Sequence, residues 1–137
     1  MFKQQAIGIF SSLAVIAALA FVPFESTTAA EPDGEPAAKV GMDELDYTPA
    51  KVTISEGETV RWKNSSRVPH TVTAIKEKAN NPESVEIPSG AEPFGSGLMR
   101  PGDTFSHTFE VPGTYKYVCL PHEAKDMIGY VIVKSKE

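Results

Sequence analysis

Four residues of this sequence carry donor atoms in a grouping that no packing rule demands. Cys119-Leu120-Pro121-His122-Glu123-Ala124-Lys125-Asp126-Met127 places a thiol, an imidazole and a thioether on one short stretch, and His70 stands far upstream beside Pro69. Each has an ordinary reading when taken alone: a cysteine at a strand end is a small buried hydrophobe, and a methionine fills core. Their coincidence points elsewhere. Soft sulfur combined with imidazole nitrogen selects copper, and two histidines and a cysteine with a weak axial methionine form the donor set of a blue-copper electron-transfer site. Cu(I) favours soft, low-coordinate surroundings, whereas Cu(II) favours more nitrogen and oxygen donors. A site held between those preferences changes little when an electron arrives. His70, Cys119, His122 and Met127 would fill every position, leaving none for a substrate. That is the layout of a carrier of single electrons, not of an enzyme.

Composition narrows the alternatives. The chain has one cysteine, which excludes a disulfide framework, an all-cysteine zinc site and a two-cysteine binuclear copper centre. A net charge of −5 offers no basic face for nucleic acid. A Cys119–His122 nucleophile pair lacks a third, orienting group and an oxyanion donor. Zinc accepts the same cysteine and histidines, so it competes for the pocket. A copper chaperone or storage protein is the remaining alternative, but such proteins use exposed, exchangeable sites. Beyond the N-terminal run only Met42, Met99 and Met127 remain, too few for a methionine relay.

The elements that must position these donors are strands. Eleven prolines and ten glycines in 137 residues imply many turns, and no helical periodicity competes. Lys51–Ser55 and Glu58–Lys63 alternate around Glu56-Gly57 and predict a hairpin. His70–Ile75 predicts another strand, followed by a polar surface excursion from Lys76 to Pro93 with a helical turn in it. Thr104–Phe109 and Thr114–Cys119 predict a second hairpin across Val111-Pro112-Gly113, and Gly129–Val133 closes the domain. About seven short strands at this spacing predict an all-β sandwich. His107, between Phe105 and Phe109 on one strand face, reads as a packed structural histidine.

The first thirty residues read as an address. Met1-Phe2-Lys3, an apolar run from Ala6 to Val22 and a small-residue end at Thr28-Ala29-Ala30 have the layout of a secretory signal peptide. The competing reading is an uncleaved membrane anchor, the one route to a membrane association. The organisation expected is therefore a signal peptide over 1–30, an acidic flexible lead-in over 31–38, and one domain over 39–137, exported to the periplasm or another extracytoplasmic space.

From about Val40 to Lys134 the chain resembles a cupredoxin, of the plastocyanin, halocyanin and pseudoazurin group. The resemblance rests on Trp62-Lys63-Asn64 followed by Pro69-His70, on Gly113-Thr114-Tyr115-Lys116-Tyr117-Val118-Cys119, and on the Cys119, His122, Met127 spacing with Pro121 inside it. It implies a Greek-key β-sandwich, one type 1 copper cycling between Cu(I) and Cu(II), and shuttling between redox proteins. A cytochrome or a terminal reductase or oxidase would suit as donor or acceptor, with the carrier a monomer and no small-molecule substrate. Two departures stand out: Thr71 follows the first histidine where the group often has Asn, and Asp126 precedes the methionine where plastocyanins often have Gly. Pro121 has no N–H, so on the family's loop geometry the Cys119 sulfur accepts one backbone N–H bond, from Thr71, rather than two. Glu123, Lys125 and Asp126 suit a charged docking rim, though scattered loop charges are normally just solvated, and the resemblance implies an apolar edge of Leu120, Pro121 and Pro69 around His122.

Overall fold

The computed structural model describes residues 34–137, so the expected signal segment lies outside the described residues. Among the described residues nine strands form two sheets: β1 (Ala38–Met42), β2 (Tyr47–Thr48), β3 (Lys51–Ser55), β4 (Glu58–Asn64), β5 (Thr73–Ala74), β6 (Phe94–Gly95), β7 (Thr104–Phe109), β8 (Gly113–Val118) and β9 (Ile128–Lys134). One sheet has the order β2-β1-β4-β7 and the other β3-β9-β8-β5-β6. The result is the expected all-β, Greek-key sandwich. Packing begins within the span read as a lead-in: Pro36 is buried, and the Ala37 N–H donates to the Thr59 carbonyl at 2.9 Å.

Both expected hairpins are corrected. β3 runs parallel to β9, with Ile54 opposite Val133, while β4 lies between β1 and β7, with Trp62 opposite Val40 and Phe105. The Glu56-Gly57 turn crosses between layers instead of folding a ribbon back. Its Glu56 N–H donates to Lys134 O at 2.8 Å in one sheet, and its Gly57 N–H to Phe109 O at 2.7 Å in the other. β7 and β8 likewise lie in different sheets. Alternation tells which face of a strand is buried, and two strands facing each other across a core share that pattern with two strands side by side. The strand expected over His70–Ile75 shrinks to Thr73–Ala74, with His70 joined to Met99 by a single bridge. The polar excursion carries two 3-10 turns, Lys76–Lys78 and Pro82–Ser84. Hairpins form instead at β1–β2, with Met42 opposite Tyr47, and at β8–β9, paired from Gly113↔Val133 to Val118↔Ile128. The β8–β9 hairpin delivers Cys119 at its looped end, next to the Val118–Ile128 pair.

Inward alternation places Val60 and Trp62 of β4, and Tyr115 and Tyr117 of β8, in the core. Trp62 is fully buried and donates its Nε1–H to the Tyr117 hydroxyl at 3.0 Å, which satisfies both polar tips of the pair. Tyr117 lies opposite Gly129 on β9. A methyl group at Gly129 would sit 2.2 Å from Tyr117 Cζ and 2.3 Å from its hydroxyl oxygen. Glycine is required there by space, not by backbone conformation.

His107 packs as expected of a structural histidine, stacked on Phe94 with ring centroids 4.0 Å apart and edge-on to Phe109 at 4.7 Å. Burial pushes its imidazole below the ordinary value, because the charged form would lose solvation. Below about pH 6.5 the unfolded chain then takes up a proton that the folded one resists, so stability falls as pH drops through that window and levels off below the folded value. Urea unfolding of His107→Gln should lack part of the loss seen in the parent between pH 7.5 and 5. Equal pH slopes in the two proteins would refute this.

Candidate metal centre

Cys119 follows β8 and caps the start of a six-residue 3-10 segment, Leu120–Lys125, that returns the chain to β9. Proline at the start of this segment presets its first turn. The loop closes on itself through the backbone: His122 N–H donates to Cys119 O at 3.1 Å, Asp126 N–H to Glu123 O at 3.0 Å, and Cys119 N–H to Met127 O at 3.1 Å. Asp126 ends the segment in the left-handed region, at φ 57° and ψ 32°. Glycine adopts that conformation at no steric cost, and aspartate is among the few other residues that tolerate it. The departure noted in the sequence therefore preserves the loop's shape.

Two of the donors face the thiol directly. His122 Nδ1 lies 3.4 Å from Cys119 Sγ and His70 Nδ1 lies 3.5 Å from it. The donor atoms of His70, Cys119 and His122 all fall within 4.8 Å of one another. Met127 is on the same loop and fully buried. Bonds of about 2.0 Å to nitrogen and 2.3 Å to sulfur, at tetrahedral to trigonal angles, separate S and N by roughly 3.5 Å, which is the spacing seen. Burial, and then the nearby His122 ring, push the His70 imidazole below its ordinary value, so it is held neutral with a lone pair to give. One thiol and two imidazoles converging at this spacing fit copper.

The surroundings orient each donor. Burial pushes the Cys119 thiol up, against N–H groups of Thr71 and His122 and the Thr71 hydroxyl that face it. The Thr71 N–H bond to sulfur, 3.4 Å long, is the one expected. Thr71 Oγ1 also accepts the Leu120 N–H at 2.9 Å and the Thr73 hydroxyl at 3.0 Å, fastening the ligand loop to the segment that carries His70. Tyr47 braces that segment from the core by donating to Thr71 O at 2.6 Å.

On the far side of His70, Nε2 lies 2.8 Å from Ser66 Oγ. Ser66 Oγ is in turn 2.8 Å from Asn64 Oδ1, and Asn64 fixes its own amide by donating to Val68 O at 2.8 Å and Met99 O at 3.1 Å. Sequence reasoning gave Ser66 no part in the site. It also placed Glu123 in a docking rim, and the structure corrects this. Lys125 and Asp126 are exposed, but Glu123 is buried, and its carboxylate accepts from Asn80 and Asn81. Those N–H donors hold the carboxyl below its ordinary value although burial alone would raise it.

His70 is fully buried whereas His122 is partly exposed. Beside His122's turn lies a mainly apolar recess of about 330 Å³ bordered by Thr71, Leu98, Leu120 and Pro121, with Lys78 at its rim. Leu98 is 62% exposed there.

Residues 35–134 match the family model described as copper binding proteins of the plastocyanin/azurin family. A plastocyanin of Scenedesmus fuscus is 35% identical over 102 residues, covering 70% of this chain and 96% of that protein. Chloroplastic plastocyanin of Pisum sativum is 34% identical over 89 residues, covering 65% of this chain and 52% of that protein, so the match spans about half of the pea protein's length. Among solved structures, amicyanin from Paracoccus versutus superimposes with a TM-score of 0.56 at 32% identity, covering 77% of this chain and 86% of that one.

Proposed function

The chain belongs to the plastocyanin/azurin family of copper-binding proteins, a cupredoxin that transfers electrons through copper, and from that premise we propose an exported mononuclear type 1 carrier. In this reading His70, Cys119, His122 and Met127 hold one copper ion, which supplies the Cu(I)/Cu(II) couple. The observation that carries it is the convergence of the two Nδ1 atoms on Cys119 Sγ, at 3.5 and 3.4 Å. The chain's own part is to keep that convergence fixed. Thr71 and Ser66 hold the thiol and the His70 ring in place, so little has to move with the electron, and the buried setting shuts out water.

Redox proteins are the partners proposed, and His122 is the exit. It is the histidine whose edge approaches solvent, next to the apolar recess at Leu98, Leu120 and Pro121. Weak redox encounters use modest surfaces of this kind. The net charge of −5 favours a basic or mixed-charge partner through steering. Export to an extracytoplasmic space is supported by the N-terminal apolar run followed by small residues, and four protein donors on one copper would leave no position for a substrate.

An optical and EPR titration of residues 31–137 with Cu(II), alongside Cys119→Ser, tests the assignment. The expected result is an intense visible thiolate-to-copper band saturating at one equivalent and absent from the variant. A colourless complex with ordinary tetragonal EPR would show that Cys119 is not a ligand, and copper handling would become the better reading.

A further inference from the structure

The turn that carries His122 has an attachment that metal binding does not require. Glu123 follows the histidine and is only 8% exposed. Its Oε2 accepts the Asn80 backbone N–H at 2.8 Å and the Asn80 side-chain amide at 2.9 Å, and its Oε1 accepts the Asn81 N–H at 2.8 Å. Charge-assisted bonds of this kind are roughly twice as strong as neutral ones. Asn81 is itself fixed, because its side chain caps the Pro82–Ser84 turn by accepting Glu83 N–H at 3.0 Å.

The excursion holding Asn80 and Asn81 is bolted to the strand that delivers the cysteine. Glu86 and Lys116 exchange backbone hydrogen bonds of 3.0 and 2.8 Å, and Lys116 Nζ donates to Glu83 O at 2.9 Å. Lys116 is three residues before Cys119 on β8. The backbone at His122 needs such a frame: with φ −118° and ψ 17° it breaks the helical run of its segment, so no regular ladder of bonds defines its position. β8 therefore fixes Cys119 directly, and holds His122 by two routes, its N–H bond to Cys119 O and the excursion with the Glu123 carboxylate.

We propose that Glu123 is the positioning residue of His122, clamping the ligand turn onto Asn80 and Asn81 so that the imidazole keeps one setting in both oxidation states. The proposal rests on the reading of His122 as a ligand. The ordinary alternative is that Glu123 merely tethers the excursion.

Glu123→Gln turns one acceptor oxygen into a donor facing the donors of Asn80. In the metal-free protein, amide exchange at Asn80 and Asn81 should accelerate at least tenfold. In the copper form the thiolate band should persist while electron self-exchange slows about tenfold, the size typical of losing an outer-shell partner, and the His122 NMR signals should broaden. Adding Asn80→Asp returns the charge and reverses the side-chain pair, and should recover most of the self-exchange rate. Asn80→Ala, which keeps Glu123 and removes one bond of three, gives the same direction at smaller size if Glu123→Gln fails to fold. Faster amide exchange with self-exchange within twofold of the parent would overturn the clamp and leave a tether. A shifted potential with unchanged rates would reduce Glu123 to a local charge. Absence of the thiolate band from the parent protein would instead remove the ligand reading, an outcome distinct from both.

Discussion

Gly129→Ala is expected to destabilise the domain by about 4 kcal/mol, combining the strain of overpacking with the loss of a buried hydrogen bond. The added methyl meets three atoms of the Tyr117 ring between 2.2 and 2.6 Å, and Tyr117 has no free direction to move. It is fully buried, packs edge-on to Tyr47 at 4.7 Å and to Trp62 at 5.4 Å, and accepts the Trp62 Nε1–H. Displacing the ring orphans that indole donor. In a domain of this size the cost should lower the melting temperature by roughly 20 °C. Because Tyr117 lies two residues before Cys119, the copper band should weaken as well. A Gly129→Ala, Tyr117→Val double variant should be more stable than the sum of the single changes implies, since the clash is removed. Thermal unfolding of the single variant within about 1 kcal/mol of the parent would refute the steric account.

Ser66→Ala should weaken copper binding by 10- to 100-fold, about 1.4–2.7 kcal/mol. A neutral imidazole carries one N–H. For His70 Nδ1 to offer a lone pair toward Cys119, its proton must sit on Nε2 and point at Ser66 Oγ, 2.8 Å away. Ser66 can accept it because the serine proton has its own acceptors, Asn64 Oδ1 at 2.8 Å and Val68 O at 3.0 Å. Asn64 presents its oxygen because its amide nitrogen is committed to Val68 and Met99. The relay is directional from end to end and selects the tautomer that a metal needs. Alanine removes the acceptor from a fully buried ring. Competition against a chelator reads the affinity, and the imidazole nitrogen shifts of the metal-free protein read the tautomer. Unchanged affinity with an unchanged tautomer would show that burial alone orients His70.

What the sequence disclosed, it disclosed through local patterns. Cys119, His122 and Met127 are legible because one loop sets their spacing, and His70 because a proline precedes it at the expected distance from Trp62. The sandwich is legible from alternation and turn residues. The pairing of its strands is not, since Val52-Thr53-Ile54 and Val60-Arg61-Trp62 show the same alternation whether they neighbour each other or face each other. The turn at Glu56-Gly57 discloses its crossing only through bonds to Lys134 and Phe109. Glu123, Ser66 and Thr71 were harder for a related reason. Polar residues on loops are normally solvated, and the partner that makes Glu123 structural lies more than forty positions away. Asparagines at 80 and 81 before a proline signalled a turn, but nothing in them named an acceptor.

The β8–β9 connection has a consequence for how the molecule is made. Three of the four proposed donors lie on the link between two strands that pair as a hairpin, and hairpins close within microseconds. His70 arrives only when residue 70 is drawn against residue 119, a non-local event of the kind that slows folding. Three donors are thus close in sequence and the fourth is close only in the folded sandwich, so the complete donor set is a property of the tertiary fold and is lost whenever the two sheets part.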